Sequence, residues 1–272
     1  MPKLPPGLYD LLVDRTVAAA LGELAAGRSE VSPLAVDEAH ELLTLAVATR
    51  LRGALRSVSG KGADKLQEQV TVANRVLELL AAMPSSGTDE SDAIPSPPQR
   101  LAAVLEAVEA PREATVPPRP AIPLRSSDLL INGRHDRSLG PQLRLEIESA
   151  DRIDLLCSFV KWSGLRILED VLRRHLARRP KSVRVLTTTY MGATEQRAVE
   201  ALLDMGADVR VSYDRSRTRL HAKAWFLHRD SGFSTAFVGS SNLSGSAVLD
   251  GLEWNVRLAE TDNAAILQRF RT

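Results

Sequence analysis

Leu220-His-Ala-Lys-Ala-Trp-Phe-Leu227, Ser234-Thr-Ala-Phe-Val-Gly-Ser-Ser-Asn242 and Gly251-Leu-Glu-Trp-Asn-Val-Arg-Leu258 follow one another closely in the chain. Each is a short apolar run rich in β-branched or aromatic residues, and the turn Arg229-Asp-Ser-Gly232 divides the first two. They read as successive strands over 220–227, 234–238 and 252–258. On the first of them, alternation sends Arg217, Arg219, His221, Lys223 and Trp225 one way and Leu220, Ala222 and Ala224 the other. The small apolar set then faces a layer of the domain, and the basic set faces a cleft.

The residues of that cleft suit attack on a phosphodiester without a metal. His221 offers an imidazole nitrogen as nucleophile, and Lys223 neutralises the non-bridging oxygens. Arg217 and Arg219 extend a positive track along a polyanion. Gly239 allows close backbone approach to an anion, while Ser240 and Asn242 supply neutral donors. Glu253 sits in an apolar strand, where a carboxylate needs a partner. A hydrogen bond to the second nitrogen of His221 would fix that ring's tautomer, and Arg257 is the alternative partner. Taken singly, each has an ordinary reading: a core histidine, a capped strand-to-helix turn, an edge-strand acid. Their spacing together favours chemistry. A zinc site from His221, His228 and Asp230 lacks standard spacing.

Upstream, the rhythm alternates. Helices are expected over 139–149, 165–177 and 195–205, and strands over 153–160, 183–188 and 209–213. Short apolar runs divided by such helices imply βαβ crossovers and a largely parallel stretch of sheet. Lys161 and Trp162 after one strand, and Tyr190 after the next, fall where ligands settle in an open α/β sheet. Trp162 or Tyr190 would stack on a base, or else pack on the following helix.

The first 110 residues read as helices alone, with apolar stripes at 3–4 spacing over 8–24, 37–58 and 64–83 and a short helix over 99–109. Pro111, Pro117, Pro118, Pro120 and Pro123 crowd into a short stretch that regular structure does not tolerate. The organisation expected is a helical region over 1–110, a Pro-rich linker over 111–123 and a catalytic domain over 124–272. The net charge of +1 conceals a split. Residues 1–123 carry 12 Lys/Arg against 16 Asp/Glu, and residues 124–272 carry 23 against 18, so the halves stand at −4 and +5. A moderately basic module suits nucleic-acid contact on one face. The single cysteine, Cys157, excludes an internal disulfide. Without an apolar run of membrane-spanning length or a secretory start, the chain is expected in the cytoplasm, with no membrane partner and no cofactor.

His221-x-Lys223, Gly239-Ser240-x-Asn242 and Glu253 resemble the His-Lys-Asp signature half of the phospholipase D superfamily, especially its small bacterial nucleases. The resemblance covers about residues 125–260. More narrowly, Ser158-Phe-Val-Lys-Trp-Ser-Gly164, Thr187-Thr-Thr-Tyr-Met-Gly-Ala193 and Arg219-Leu-His-Ala-Lys-Ala-Trp225 are similar to the N-terminal phospholipase D-like domain of bacterial DEAD/DEAH-box helicase proteins. It implies an α/β fold, a phospholipase D-like mixed sheet with helices on both faces, preceded by a helical N-terminal region. It implies catalytic roles for His221, Lys223, Ser240, Asn242 and Glu253, nucleic-acid contacts from Arg217, Arg219, Lys161, Trp162 and Tyr190, and no metal. It also makes the chain the front piece of a helicase-linked polypeptide. One position departs from the signature: its acid, seven residues after the nucleophilic His, is replaced by His228.

The family mechanism uses two histidines, one to attack and one to protonate the leaving oxygen. This chain has one copy of the motif and no internal repeat, so a homodimer with a composite site is expected. The function expected is a metal-independent nuclease acting on DNA. The alternatives are a catalytically weak nucleic-acid-binding or dimerisation module, and a phospholipid phosphodiesterase.

Overall fold

The computed structural model describes residues 12–23, 29, 31–83, 87, 90–99, 101–103, 116–132, 137–214, 220–249 and 251–271. The chain divides into two compact units, Met1–Val104 and Leu105–Thr272.

Among its described residues the first unit holds α1 (Arg15–Gly22), α2 (Val36–Ser57) and α3 (Gly62–Ala81). Asp14 caps α1, its carboxylate accepting the Val17 N–H at 2.9 Å, and so satisfies one of the helix's orphan donors. Arg50 of α2 lies 2.6 Å from the same carboxylate. Gln69 of α3 donates to the Leu55 carbonyl of α2 at 2.8 Å. Residues 101–103 are not helical, and the rest of the short helix expected over 99–109 lies mainly outside the described residues. None of the described helices is long and apolar enough to cross a membrane.

In chain order, the second unit contains β1 (Asp128–Ile131), α4 (Leu139–Ser149), β2 (Arg152–Cys157), α5 (Trp162–Arg178), β3 (Val183–Thr188), α6 (Gln196–Asp204), β4 (Asp208–Ser212), β5 (Lys223–His228), β6 (Thr235–Gly239), α7 (Gly245–Leu249), β7 (Trp254–Ala259) and α8 (Glu260–Gln268). The strands form one sheet in the order β1-β7-β6-β5-β2-β3-β4. Only β2, β3 and β4 run parallel to one another, joined by the crossover helices α5 and α6. The remaining pairs are antiparallel. A tight turn joins β5 to β6, with Gly232 at φ +82°, a conformation that favours glycine.

One face of the sheet carries Leu155 and Cys157 of β2, Val183 and Val185 of β3, Trp225 and Leu227 of β5 and Phe237 of β6. They pack against Leu143 and Ile147 of α4, Leu168 and Leu172 of α5, and Leu202 of α6. The opposite face carries Phe226 and Ala236, covered by Leu267 of α8 and by Phe270. Helices therefore lie on both faces, most of them on one.

A buried ion cluster pins α4 to the sheet. The Glu146 carboxylate receives Arg229 Nη2 at 2.6 Å, Arg257 Nε at 2.8 Å and the Thr235 hydroxyl at 2.9 Å. Burial alone would raise the Glu146 carboxyl, but the two guanidiniums outweigh it and hold the group ionised. Arg257 also donates to the backbone carbonyls of Pro123 and Ser126, which fastens the chain just before β1.

Candidate active site at the ends of β5, β6 and β7

The site is assembled by strand register. Lys223, the first residue of β5, pairs with Cys157, the last of β2. Ser158, one residue beyond, donates its N–H at 3.1 Å and its hydroxyl at 3.3 Å to the Ala222 carbonyl. That carbonyl lies between His221 and Lys223, so the end of β2 holds both. His221 is exposed and stands just before β5. Lys223 Nζ lies 3.0 Å from His221 Nε2 and 3.2 Å from Nδ1, and donates to the His221 carbonyl at 3.2 Å. The ammonium therefore stands beside the imidazole that would act as nucleophile.

Asn242 follows β6 and reaches the same strand end. Its Oδ1 accepts the Phe159 N–H at 3.2 Å and sits 3.7 Å from the Cys157 thiol. A backbone N–H can only donate, so the acceptor atom is the amide oxygen and Nδ2 is the atom left to donate. Cys157 also accepts the Leu243 N–H at 3.2 Å and donates to the Phe159 carbonyl at 3.0 Å. Burial pushes this thiol up, so it stays protonated. Residues 157–159 therefore orient Asn242, a role the sequence reading did not assign. The apolar residues around Cys157 suggested only a core thiol.

Ser240 and Glu253 meet across β6 and β7. The Ser240 hydroxyl donates to the Glu253 carboxylate, accepts the Trp254 N–H at 3.1 Å, and the Ser240 N–H donates to the Trp254 carbonyl at 3.0 Å. Glu253 thus holds Ser240, where the sequence pointed to His221. Arg257, the other partner considered for Glu253, is buried against Glu146. Gly239 differs from expectation as well. A Cβ there would lie 2.1 Å from the Trp254 carbonyl oxygen and 2.8 Å from the Asn255 Cα. The glycine is needed for the close approach of β7 to β6.

The strand reading placed Trp225 in the cleft with His221 and Lys223. It is 6% exposed and belongs to the core, because the α4–α5 layer covers β5 from Trp225 onward. Lys161 precedes α5, and its N–H donates to the Leu243 carbonyl at 2.8 Å, joining that helix start to the Asn242 segment. The Trp162 ring carries the Arg197 guanidinium 4.1 Å from its centroid, a packing role rather than an open stacking face. Tyr190 is half-buried in a 3-10 turn after β3, its N–H bonded to the Thr188 hydroxyl at 3.0 Å. Arg217 and Arg219 lie outside the described residues.

His228, at the position of the signature acid, is the last residue of β5 and pairs with Arg152. Five residue steps of strand, roughly 17 Å, separate it from Lys223. Its Nε2 lies 2.6 Å from Asp154 Oδ2. It therefore cannot share a metal with His221. A cavity of about 340 Å³ lined by Arg152, His228, Asp230 and Arg271 also belongs to this far end.

Residues 143–272 match the family model for "Cardiolipin synthase, PLD-like domain". Among solved structures the chain is similar to NucT from Helicobacter pylori, at 16% identity and a TM-score of 0.41, over 53% of this chain and 92% of that one. It is also similar to the phospholipase D family member Nuc from Salmonella typhimurium, at 16% and 0.39, over 54% and 91%. Yeast tyrosyl-DNA phosphodiesterase matches at 12% and 0.34, over 48% of this chain and 31% of its own. None of the curated proteins matches the chain.

Proposed function

We infer that this chain, whose residues 143–272 form a phospholipase D-like domain, is a metal-independent phosphodiesterase that cuts DNA through a phosphohistidine. One observation carries the reading: the Lys223 ammonium lies 3.0 Å from an imidazole nitrogen of the exposed His221. An imidazole nitrogen beside a cation supplies a nucleophile and a counter-charge, the two needs of attack on an anionic diester.

In the first step a His221 nitrogen bonds to phosphorus and the bond to the leaving oxygen breaks. Lys223 and Asn242 Nδ2 hold the non-bridging oxygens, and Ser240, fixed by Glu253, borders them. The departing oxygen takes a proton from the partner subunit's His221, so the competent unit is a dimer with one composite site. In the second step water attacks phosphorus, the phosphorus–nitrogen bond breaks and the partner's His221 takes the water proton. A helicase module as partner belongs to the same proposal and rests on the sequence resemblance alone.

Labelled single-stranded and duplex DNA, incubated in EDTA with wild type and His221→Ala, tests the reading. Cleavage that survives chelation and disappears in the variant is expected. Cleavage abolished by EDTA would reject the mechanism, and tight binding without cleavage by either protein would favour a binding module. Sedimentation showing only monomer in a fully active preparation would sink the composite site.

A further inference from the structure

The cavity at the far end of β5 is lined in part by Arg229, one residue past the strand, although that side chain is only 3% exposed. Its two terminal nitrogens are committed. Nη1 donates to the Phe233 carbonyl and the Thr235 hydroxyl, both at 3.1 Å, and Nη2 donates to Glu146 at 2.6 Å and to the Ser149 hydroxyl at 2.9 Å. The Nε–H is buried too, and it finds no acceptor among the described residues. A buried donor without a partner is costly, and native interiors seldom keep one. Charge is out of balance at the same place. Glu146 is shared by two buried guanidiniums, Arg229 and Arg257, so the three side chains together carry a surplus of one positive charge. Arg152 adds to it from the cavity lining, its Nη2 3.0 Å from His228 Nδ1 and its Nε 4.0 Å from Asp154. That carboxylate is already taken by His228 and Arg184, each at 2.6 Å. Arg271 brings a third guanidinium to the lining, bonded to Glu260 at 2.6 Å, and the exposed Asp230 is the remaining carboxylate there.

We propose that this cavity is a binding site for a phosphate group, separate from the catalytic one. A phosphate oxygen at Arg229 Nε gives the orphan donor its acceptor, and the anion's charge offsets the surplus behind it. Arg152 and Arg271, with side chains 46% and 44% exposed, line the same space and offer further donors in the planar fork that suits phosphate. A carboxylate has only two oxygens to share among three guanidiniums, and a metal ion would add to the positive surplus. A cavity of about 340 Å³ also has room for an organic group attached to the phosphate. The ligand is therefore free phosphate or the phosphate of a nucleotide. The inference does not draw on the phosphodiesterase reading, because His228 and Lys223 stand at opposite ends of β5.

The test uses the full chain with Lys223→Met, so that the catalytic cation cannot hold the probe. Isothermal titration at constant ionic strength is read with inorganic phosphate and with thymidine monophosphate. One saturable site is expected. Adding Arg152→Gln and Arg271→Gln should weaken it by about 10-fold or more, as loss of charged hydrogen bonds implies. Adding Asp230→Asn instead removes an exposed carboxylate from the lining and should tighten binding, a gain that no loss of folding can imitate. Tighter binding of thymidine monophosphate than of inorganic phosphate would assign the site to a nucleotide, and equal affinity would assign it to the free ion. Absence of saturable binding by either probe would overturn the proposal. So would an affinity that none of the three added substitutions changes.

Discussion

His228 and Asp154 meet across β5 and β2, Nε2 to Oδ2 at 2.6 Å, at the end of β5 away from Lys223. Burial alone would raise the Asp154 carboxyl, but hydrogen bonds from His228 and Arg184 outweigh it and hold the group well below the usual carboxylate range. The His228 side chain thus serves the sheet. His228→Ala should cost about 1–3 kcal/mol, because it leaves a half-buried carboxylate short of a donor. Thermal unfolding should register that loss as a melting point lower by roughly 2–4 °C per kcal/mol. Cleavage by the folded variant should match wild type. An activity loss beyond the unfolded fraction would show that position 228 acts on the site after all.

Much of the second unit was legible because its strands are short apolar runs and its crossover helices carry clear stripes. The expected strand 183–188 is β3 itself. β1 escaped notice because four residues, Asp128 to Ile131, are too few for a period, and they become a strand only by pairing with β7. α8 has almost no amphipathic pattern and a non-helical break at Asn263. The site's residue types were legible, but their partners were not. Register across β6 and β7 decides that Glu253 meets Ser240, and the depth of the α5 layer decides that Trp225 is core. Neither is a local property of the sequence.

Asn242→Asp separates orientation from chemistry. The carboxylate keeps an oxygen for the Phe159 N–H, so folding should change little. The other oxygen replaces Nδ2 and turns a donor toward phosphate into a repelling charge. A fall in kcat of about 10²–10³ is expected, as for loss of a transition-state donor, with an unchanged melting point. Single-turnover cleavage beside thermal unfolding reads both quantities. A variant that cleaves normally would remove Asn242 from the phosphate contacts.

Glu146, Arg229 and Arg257 form a cluster in which removing the acid is worse than removing one base. Side-chain exposure is 0% for Glu146 and Arg257 and 3% for Arg229. Glu146→Gln leaves two buried guanidiniums without a counter-charge, and breaking such a cluster costs about 3–5 kcal/mol. Arg257→Met keeps the Glu146–Arg229 pair and should cost less. Urea unfolding of the two variants measures the order, and a milder Glu146→Gln would contradict it.

His175 sets an acid limit on stability. It is fully buried in α5, with its Nε2 2.8 Å from the Ser182 hydroxyl. Burial, then the nearby Arg178 and Arg179 charges, push its pKa down from 6.5 to about 4, against smaller opposing pulls from a backbone hydrogen bond at Ile147 and from Asp151. In the unfolded chain the group regains an ordinary value near 6.5. Between these values the unfolded chain binds a proton that the folded chain does not, so stability falls as pH drops through the window. The full effect is about 3 kcal/mol, present above pH 6.5 and lost toward pH 4. Most of the carboxylates held low by ion pairs, such as Asp154 and Asp170, contribute only nearer pH 4. The slope from pH 6.5 to 5 therefore reports His175. His175→Gln retains a side-chain donor for Ser182 without a titrating group, and its urea midpoint should be flat across that interval. A variant with the wild-type slope would assign the acid sensitivity elsewhere.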